Sequence, residues 1–306
     1  MIVVKNLTKK FSDLTAVGDL SFHVGEGEIF GLLGPNGAGK TTTIRMLCCL
    51  ISKTSGEAKI AGYQVGKDAD SLAIRKMIGL VPDNVGLYEE LSAYQNLDYY
   101  GKLYECPDRE RKESIEYFLR MLDLWDQRDR SISDFSKGMK QKVSLARALV
   151  HHPKLLFLDE PTANLDPESS RVVRDFILRL KKEGVTIFLN THNLDEAQRI
   201  CDRIGILKTK LLTINTPEQL ERSIWGSKTV IQVAKITDSI LIAVKNLKPK
   251  GLSVEGNKIV VEVADPLEEN PGIVQSVVSA GGRVQSVYQL NPGLEETYLK
   301  VVGETK

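Results

Sequence analysis

Apolar and polar residues alternate in two ways along the first two thirds of the chain. Short apolar runs predict buried strands at 28–33, 78–81, 155–158 and 186–190, and further short strands are expected at 2–5, 18–24 and 58–60. Helices are expected at 42–50, 168–183 and 194–201. Strands that alternate with helices predict an α/β fold with a mostly parallel sheet covered by helices.

Two regions depart from this alternation. From about 92 to 150 strands vanish and apolar residues recur at helical spacing, so we expect a helical insertion at about 86–152. Beyond about residue 220 the expected order is βαββαβ followed by a terminal helix, which predicts a small α+β, ferredoxin-like domain. The expected division is 1–222 and 223–306.

Composition excludes several classes of protein. The chain has 306 residues, and its 41 basic and 40 acidic side chains leave a net charge of +1, so we expect no nucleic-acid partner. Cys48, Cys49, Cys106 and Cys201 show no C-x-x-C spacing and no secretory signal precedes them, which favours reduced thiols in a cytoplasmic protein. No apolar run approaches the ~18 residues that a membrane span needs.

The clearest chemical signal is a glycine-rich loop between a predicted strand and a predicted helix. Residues 34–41 have the sequence G-P-N-G-A-G-K-T, a phosphate-loop pattern. The glycines let consecutive N–H groups face one concavity, Lys40 adds a positive charge, and the Thr41 hydroxyl is placed to ligate Mg²⁺. We expect a nucleoside triphosphate to contact Gly34, Pro35, Asn36, Gly37, Ala38, Gly39, Lys40, Thr41 and Thr42.

Acidic and histidine side chains follow two of the buried strands. Asp159 and Glu160 end one strand, which points Asp159 toward a Mg²⁺ at Thr41 and leaves Glu160 to take a proton from an attacking water. The alternative for such acids is an ordinary solvated turn. His192 follows another strand, where side chains face the ligand crevice of an α/β sheet, and we expect it to contact the γ-phosphate.

A third segment precedes the strand with two carboxylates. Residues 136–139 read S-K-G-M just before a predicted helix, so Ser136 can cap that helix and Gly138 permits close approach to an anion. Taken alone this is only a helix start. Its position shortly before Asp159 and Glu160 indicates more.

With these segments in this order, residues 1–220 resemble the ATPase subunits of ATP-binding cassette (ABC) transporters. The resemblance rests on the Walker A loop, the signature at 136–139, the Walker B strand at 155–160, the D-loop A-N-L-D at 163–166 and the switch histidine, His192. It implies a P-loop NTPase fold, a RecA-like parallel sheet with an antiparallel β subdomain and a helical insertion. The tail from about 226 resembles the accessory domain of exporter-type subunits, the ABC-2-like branch that includes multidrug and antibiotic resistance.

The resemblance implies an ATPase that uses ATP and Mg²⁺. Two subunits of the family pair head to tail, so ATP binding is expected to form a homodimer with Asp166 at its interface. Each copy would present part of its signature to the γ-phosphate held by the other, through Ser136, Lys137, Gly138 and Met139. Phe11 matches the aromatic that stacks on adenine, with Val17 beside it; a core or edge aromatic is the alternative for Phe11.

Two positions depart from the common family pattern. Lys137 stands in the signature where glycine is usual, a variation that resembles the exporter-type branch. Asp83 stands where the family has a glutamine that touches Mg²⁺ or the attacking water. The metal site implied by the resemblance therefore comprises Thr41, Asp83 and Asp159, with Asp83 one methylene shorter than glutamine and charged.

The function implied by the resemblance is to drive a separate membrane permease, for export, from the cytoplasmic inner face of the cell membrane. In the family, the neighbourhood of residues 86–100 forms the groove that receives a coupling helix of the permease. The alternative is that the aromatic residues of this segment pack the core of the insertion itself. One alternative is a soluble cassette ATPase of translation or DNA maintenance, which the single cassette and the modest insertion disfavour. Another is a regulatory subunit whose hydrolysis is altered by Asp83.

Overall fold

The computed structural model describes residues 1–84, 86–290 and 293–303, and the chain divides into two units, Met1–Thr216 and Pro217–Lys306. The strands of the first unit are β1 (Ile2–Phe11), β2 (Leu14–Val24), β3 (Ile29–Leu33), β4 (Ser55–Ile60), β5 (Tyr63–Gln64), β6 (Ile78–Val81), β7 (Leu155–Asp159), β8 (Thr186–Asn190), β9 (Arg203–Lys208) and β10 (Lys210–Asn215). Its helices are α1 (Lys40–Leu47), α2 (Asp68–Met77), α3 (Ala93–Leu103), α4 (Asp108–Met121), α5 (Lys137–Leu149), α6 (Pro167–Lys182) and α7 (Leu194–Ile200).

A six-stranded sheet forms the centre of the first unit. Its strand order is β10-β9-β3-β8-β7-β6, with every neighbouring pair parallel except β10 with β9. Every residue of β3, β7 and β8 is buried, as expected for a parallel sheet covered on both faces. The carboxyl ends of these three strands therefore meet at one edge of the sheet, at Leu33, Asp159 and Asn190.

A second, antiparallel sheet of the first unit has the order β2-β1-β4-β5. Four phenylalanine rings join it to the parallel sheet. Phe22 of β2 stacks on Phe30 of β3 at 5.3 Å between ring centroids, and Phe188 lies 5.5 Å from both Phe30 and Phe157. The two sheets consequently share one apolar core.

The helical insertion contains α3, α4 and α5. At its base the His151 ring stacks on the Tyr104 ring at 3.7 Å between centroids, and its Nε2 lies 3.0 Å from the Ile78 carbonyl oxygen at the start of β6. Burial lowers the pKa of His151 to about 4. No helix in the described part of the chain is long and apolar enough to cross a membrane.

The second unit is an α+β structure. Its elements are α8 (Pro217–Trp225), β11 (Ser227–Val233), α9 (Asp238–Asn246), β12 (Gly251–Glu255), β13 (Lys258–Val263), α10 (Pro266–Ser279), β14 (Val284–Leu290) and α11 (Gly293–Gly303). Its sheet has the order β12-β13-β11-β14 with every pair antiparallel. From β11 to β14 the chain has the predicted βαββαβ order and the ferredoxin-like strand arrangement.

The boundary between the units differs from the sequence expectation. It falls between Thr216 and Pro217, six residues before the expected division at 222 and 223. The reason is that α8 packs on α11, with Lys300 Nζ donating to the Ile224 carbonyl at 3.4 Å. Residues 304–306 of the expected C-terminal domain lie outside the described residues.

Candidate active site

Two glycines of the phosphate loop are required by the packing of the backbone. A Cβ atom at Gly34 would lie 2.2 Å from the carbonyl oxygen of Leu207 in β9. Gly39 has a φ of +101°, and a Cβ there would lie 2.4 Å from the Ala16 carbonyl oxygen in β2. The loop is thus wedged between two strands in a shape that side chains would prevent. Gly39 is also the N-cap of α1, so this helix begins at Lys40, two residues earlier than expected.

Lys40 lies at the centre of the loop and is buried. Its Nζ donates to the carbonyl oxygens of Gly34 at 2.7 Å and Pro35 at 3.2 Å. Burial lowers the pKa of Lys40, and the carboxylates of Glu160 and Asp159 oppose that shift. The ammonium group therefore lies between the loop and the acidic end of β7.

Asp159 is only 3% exposed at the end of β7. Its Oδ1 accepts hydrogen bonds from Thr41 Oγ1 at 3.2 Å and from the Asn190 side-chain amide, and Asn190 is its register partner in β8. Burial raises the pKa of Asp159, these two hydrogen bonds lower it, and the charges of Glu160 and Asp83 raise it further. Thr41 and Asp159, which the sequence predicts as ligands of one Mg²⁺, thus lie within hydrogen-bond distance of each other.

Asn190 is a site residue that sequence reasoning missed. Its side chain lines the cavity, and its Oδ1 is buried without a hydrogen-bond partner among the residues that the structure describes. The signal in the sequence was the position of Asn190 at the end of a predicted buried strand, two residues before His192. A polar side chain at the end of a buried strand needs hydrogen-bond partners, so its presence indicates polar neighbours at that edge of the sheet.

Glu160 and His192 contact each other. Glu160 Oε2 lies 2.8 Å from His192 Nδ1 and accepts a hydrogen bond from the His192 backbone N–H at 3.3 Å. Glu160 has a φ of +53°, and its own N–H donates to the Asn190 carbonyl at 2.8 Å. A non-glycine residue in the left-handed region carries strain that the surrounding structure must overcome, and such strain concentrates at functional sites.

A cavity of about 410 Å³ brings most of the predicted nucleotide-binding residues together. The predicted residues that line it are Phe11, Asn36, Gly37, Ala38, Gly39, Lys40, Thr41, Thr42, Asp83, Asp159 and Glu160. Phe11 is 46% exposed and Lys9 Nζ lies 4.7 Å from its ring centroid. Asp83 is exposed at the rim.

Val17 differs from its predicted position. Its side chain is fully buried in the core behind the loop, and it does not line the cavity. The reason is the alternation along β2, in which Leu14 and Ala16 face the cavity instead. Val17 therefore supports the loop at Gly39, whose added Cβ would lie 2.8 Å from Val17 Cγ2.

The signature segment lies apart from this cavity. Ser136 Oγ caps α5 by accepting from the Met139 N–H at 3.3 Å, and Ser136 and Lys137 are exposed. A Cβ at Gly138 would lie 2.5 Å from Ser169 Oγ. Asp166, the N-cap of α6, accepts from the Ser169 N–H at 2.8 Å and its hydroxyl at 2.6 Å.

The signature and the D-loop are therefore neighbours within one subunit. We call the five residues Ser136, Lys137, Gly138, Met139 and Asp166 the signature surface. None of them lines the cavity that contains Lys40.

Several known proteins are similar to this chain over most of its length. The family model described as "ABC transporter" matches residues 17–163. The linearmycin resistance ATP-binding protein LnrL of Bacillus subtilis (strain 168) is 32% identical over 313 residues, covering 100% of this chain and 99% of that protein. The Nod factor export ATP-binding protein I of Rhizobium sp. (strain N33) is 35% identical over 303 residues, covering 99% and 97%.

A solved structure extends the likeness to three dimensions. The ATP-binding cassette MJ0796, in a dimeric post-hydrolysis state bound to ADP and Pi, matches with a TM-score of 0.64 and 27% identity. The match covers 71% of this chain and 98% of that one. The predicted α/β P-loop fold class is thereby confirmed.

Proposed function

The chain belongs to the ABC transporter family of ATP-binding subunits, and from this premise we propose which residues carry out its ATPase reaction and what that reaction drives. One observation supports the assignment most strongly. Asp159 ends β7 and Glu160 directly follows it, beside the loop that carries Lys40 and Thr41, with Asp159 hydrogen bonded to Thr41 and Glu160 to His192. This places two carboxylates with different surroundings beside one anion-binding loop.

Each group has a distinct role in this proposal. The backbone N–H groups of the loop, the N-terminus of α1 and Lys40 bind the phosphates of ATP. Glu160 takes the proton of the attacking water. His192 holds the Glu160 carboxylate through the 2.8 Å contact and orients it toward the water. Phe11 provides a stacking surface for adenine at the rim.

The residues around Thr41 fit Mg²⁺. Thr41 Oγ1 and Asp159 Oδ1 are hard oxygen ligands 3.2 Å apart, and the buried Asp159 carboxylate accepts from two neutral donors, the Thr41 hydroxyl and the Asn190 amide. No group of three or more His, Cys, Asp or Glu side chains in the described residues can hold a metal ion alone, so phosphate and water would complete the shell. Bound Mg²⁺ neutralises charge on the phosphates. Asn190 orients the Asp159 carboxylate, and Asp83 adds negative charge at the rim of the cavity.

A homodimer completes the site in this proposal. The signature surface contains the N-terminus of α5, and its residues do not line the cavity of their own subunit. A second copy, turned head to tail, would present that helix N-terminus to the γ-phosphate bound at Lys40, where it suits an anion. ATP would then join the two copies.

The proposed output is the movement of a separate membrane permease, for export. Both relatives named above bear resistance or export names and match over almost their whole length. Near the expected permease contact, Tyr88 and Tyr99 are exposed with ring centroids 5.2 Å apart, which provides an aromatic surface for a partner helix. The subunit would lie at the inner face of the membrane through that permease, without a nucleic-acid partner.

The experiment that tests this function uses Glu160→Gln. We expect the variant to bind ATP normally, to lose about 10²–10⁴-fold in turnover because its general base is gone, and to accumulate as an ATP-bound dimer. ATPase assays and light scattering with saturating Mg²⁺-ATP measure these outcomes. The matched control is Glu113→Gln, which removes an exposed charge paired with Arg109.

Two results would contradict parts of the proposal. Near-normal hydrolysis by the Glu160→Gln protein would remove Glu160 from its role. A monomer at saturating Mg²⁺-ATP would overturn the shared site. The permease assignment is tested separately, since affinity purification should recover a membrane protein rather than ribosomes or DNA.

A further inference from the structure

Glu196, in the first turn of α7, is a fully buried acid to which nothing above assigns a role. Its side chain is 0% exposed. One carboxylate oxygen, Oε1, accepts a hydrogen bond from Thr162 Oγ1 at 2.9 Å. The other, Oε2, is buried and has no hydrogen-bond partner within the described ranges 1–84, 86–290 and 293–303.

The charged and polar groups around Glu196 act in both directions on its carboxyl. Burial raises its pKa, and the hydroxyls of Thr162 and Thr191 and the charge of Arg174 on α6 lower it, while the charge of Glu160 raises it. The carboxyl is therefore surrounded by partners from two loops and one neighbouring helix.

The two threonines belong to the loops that carry the reactive pair. Thr162 is two residues after Glu160, and Thr191 directly precedes His192. The loop with His192 is also tied to α7, because Asn193 Oδ1 accepts from the Glu196 N–H at 3.0 Å. Both Thr162 and Thr191 are buried, so their positions are determined by packing and by these bonds.

A buried carboxylate is a costly way to fill this space. Burying an ionised acid with incomplete hydrogen bonding is unfavourable, and an apolar side chain of similar volume is often at least as stabilising. Packing alone therefore does not explain Glu196. A connection between the two loops does explain the presence of Glu196, because the Thr162 hydroxyl donates its hydrogen bond to an acceptor at this position.

We propose that Glu196 is a positioning residue that connects the loop after Glu160 to the loop before His192. In this role it keeps Glu160 Oε2 and His192 Nδ1 at their 2.8 Å contact. The inference rests on the proposed function of that pair. It assigns Glu196 no contact with ATP, since its side chain does not line the cavity.

The test compares two substitutions at position 196. We expect Glu196→Ala to lower kcat about 30-fold while the dissociation constant for a fluorescent ATP analogue stays within about twofold, because small misplacement of reacting groups slows chemistry more than binding. Glu196→Gln keeps an oxygen acceptor for Thr162 and should recover kcat to within about threefold of the parent protein. A role in folding alone would not separate kcat from binding in this way.

Thr162→Val supplies an independent arm, because it removes the hydroxyl with little change of shape. It should lower kcat in the same way, and the double variant with Glu196→Ala should be no slower than Glu196→Ala alone. The control is Asp195→Ala on the exposed face of α7, where Asp195 pairs with Arg199 at 2.8 Å in solvent. If Glu196→Ala fails to fold, Thr162→Val alone decides.

The inference is overturned if Glu196→Ala or Thr162→Val turns over ATP within twofold of the parent protein. It is also overturned if nucleotide affinity falls as far as kcat, or if the two substitutions add independently. A failure of the proposed function is recognised separately, because the unsubstituted chain would then hydrolyse no ATP or Glu160→Gln would hydrolyse it normally.

Discussion

The cavity around Lys40 and the signature surface around Ser136 have opposite physical characters. In the cavity, Lys40 and Asp159 are buried. Burial is the main cause of both pKa shifts, which lower the pKa of Lys40 and raise that of Asp159. On the signature surface, Ser136 and Lys137 are exposed, and the polar groups serve mainly to cap helices. One region is pre-organised for a ligand within the subunit. The signature surface instead exposes Ser136 and Lys137 to solvent.

This difference explains why one subunit is not a complete enzyme in our proposal. Desolvated charges strengthen the binding of phosphate, so the cavity can hold nucleotide alone. The signature surface has the N-terminus of α5, and none of its five residues lines the cavity around Lys40, so in this proposal it meets the nucleotide bound by a second copy. Substitutions in the two regions should therefore separate binding from turnover.

The largest effect that distinguishes the two regions is expected from Gly138→Ala. A Cβ at Gly138 would lie 2.5 Å from Ser169 Oγ and 3.0 Å from Ser169 Cβ, so either Ser169 leaves its bond to Asp166 or the first turn of α5 shifts, and both change the signature surface. We expect turnover to fall about 10²-fold, as for other misplaced catalytic elements, while nucleotide binding by the monomer is unchanged. Equilibrium binding and steady-state ATPase assays measure the two quantities.

A second substitution shows whether the clash is the cause. Ser169→Gly removes both contacting atoms, so it should restore part of the turnover of Gly138→Ala. If Gly138→Ala instead loses nucleotide affinity in the monomer, the separation between the two regions is wrong.

An intermediate effect concerns stability where α5 meets the core. Burial lowers the pKa of His151 to about 4 from an ordinary value of 6.5, so the folded protein holds this ring neutral while the unfolded chain protonates it. Stability from this group is complete above pH 6.5 and is lost as the pH falls toward 4. The loss should be about 2 kcal/mol between pH 7 and pH 5.

Thermal unfolding across this pH range checks the expectation. His151→Phe keeps a ring against Tyr104 but does not titrate, so its melting temperature should fall less steeply below pH 6.5. Parallel curves for the two proteins would show that His151 does not titrate as stated.

The smallest effect is expected at the cavity rim, from Asp83→Gln. Asp83 is exposed, and its charge acts on Asp159 without a hydrogen bond to it in the described residues. Removing one solvent-screened charge should raise the Mg²⁺ concentration for half-maximal activity about threefold and leave ATP affinity unchanged. Asp83→Asn, which keeps the size, should behave similarly. Identical Mg²⁺ titrations for all three proteins would show that Asp83 has no role in the cycle.

Local signals predicted much of this molecule. The strands at Ile78–Val81 and Thr186–Asn190 were predicted with their observed bounds because each contains a short apolar run, with Pro82 directly after the first and Asn190 at the end of the second. The expected βαββαβ order of the second unit is present from β11 to β14, and the hairpin between β12 and β13 turns at Gly256 and Asn257, where Gly256 has a φ of +56°. The phosphate loop was predicted from its glycine spacing.

The missed features depend on contacts that a linear pattern does not contain. The helix α2 and the strands β9 and β10 were not predicted, and α2 is mostly polar with one fully buried residue, Ile74. Val17 was placed beside Phe11 by the family resemblance, whereas its side chain is fully buried in β2. Asn190 and Glu196 gained their roles only when the fold brought Asp159 and Thr162 against them.

The two neutral carbonyl partners of Lys40 have a consequence for product release. Because its ammonium group already has the oxygens of Gly34 and Pro35, a phosphate exchanges with these bonds rather than capturing an unsatisfied cation. The net gain is the difference between the phosphate contacts and the carbonyl bonds that they replace, so it is smaller than the phosphate contacts alone would give. We therefore expect these carbonyl bonds to lower the affinity for nucleotide and to favour release of ADP after hydrolysis.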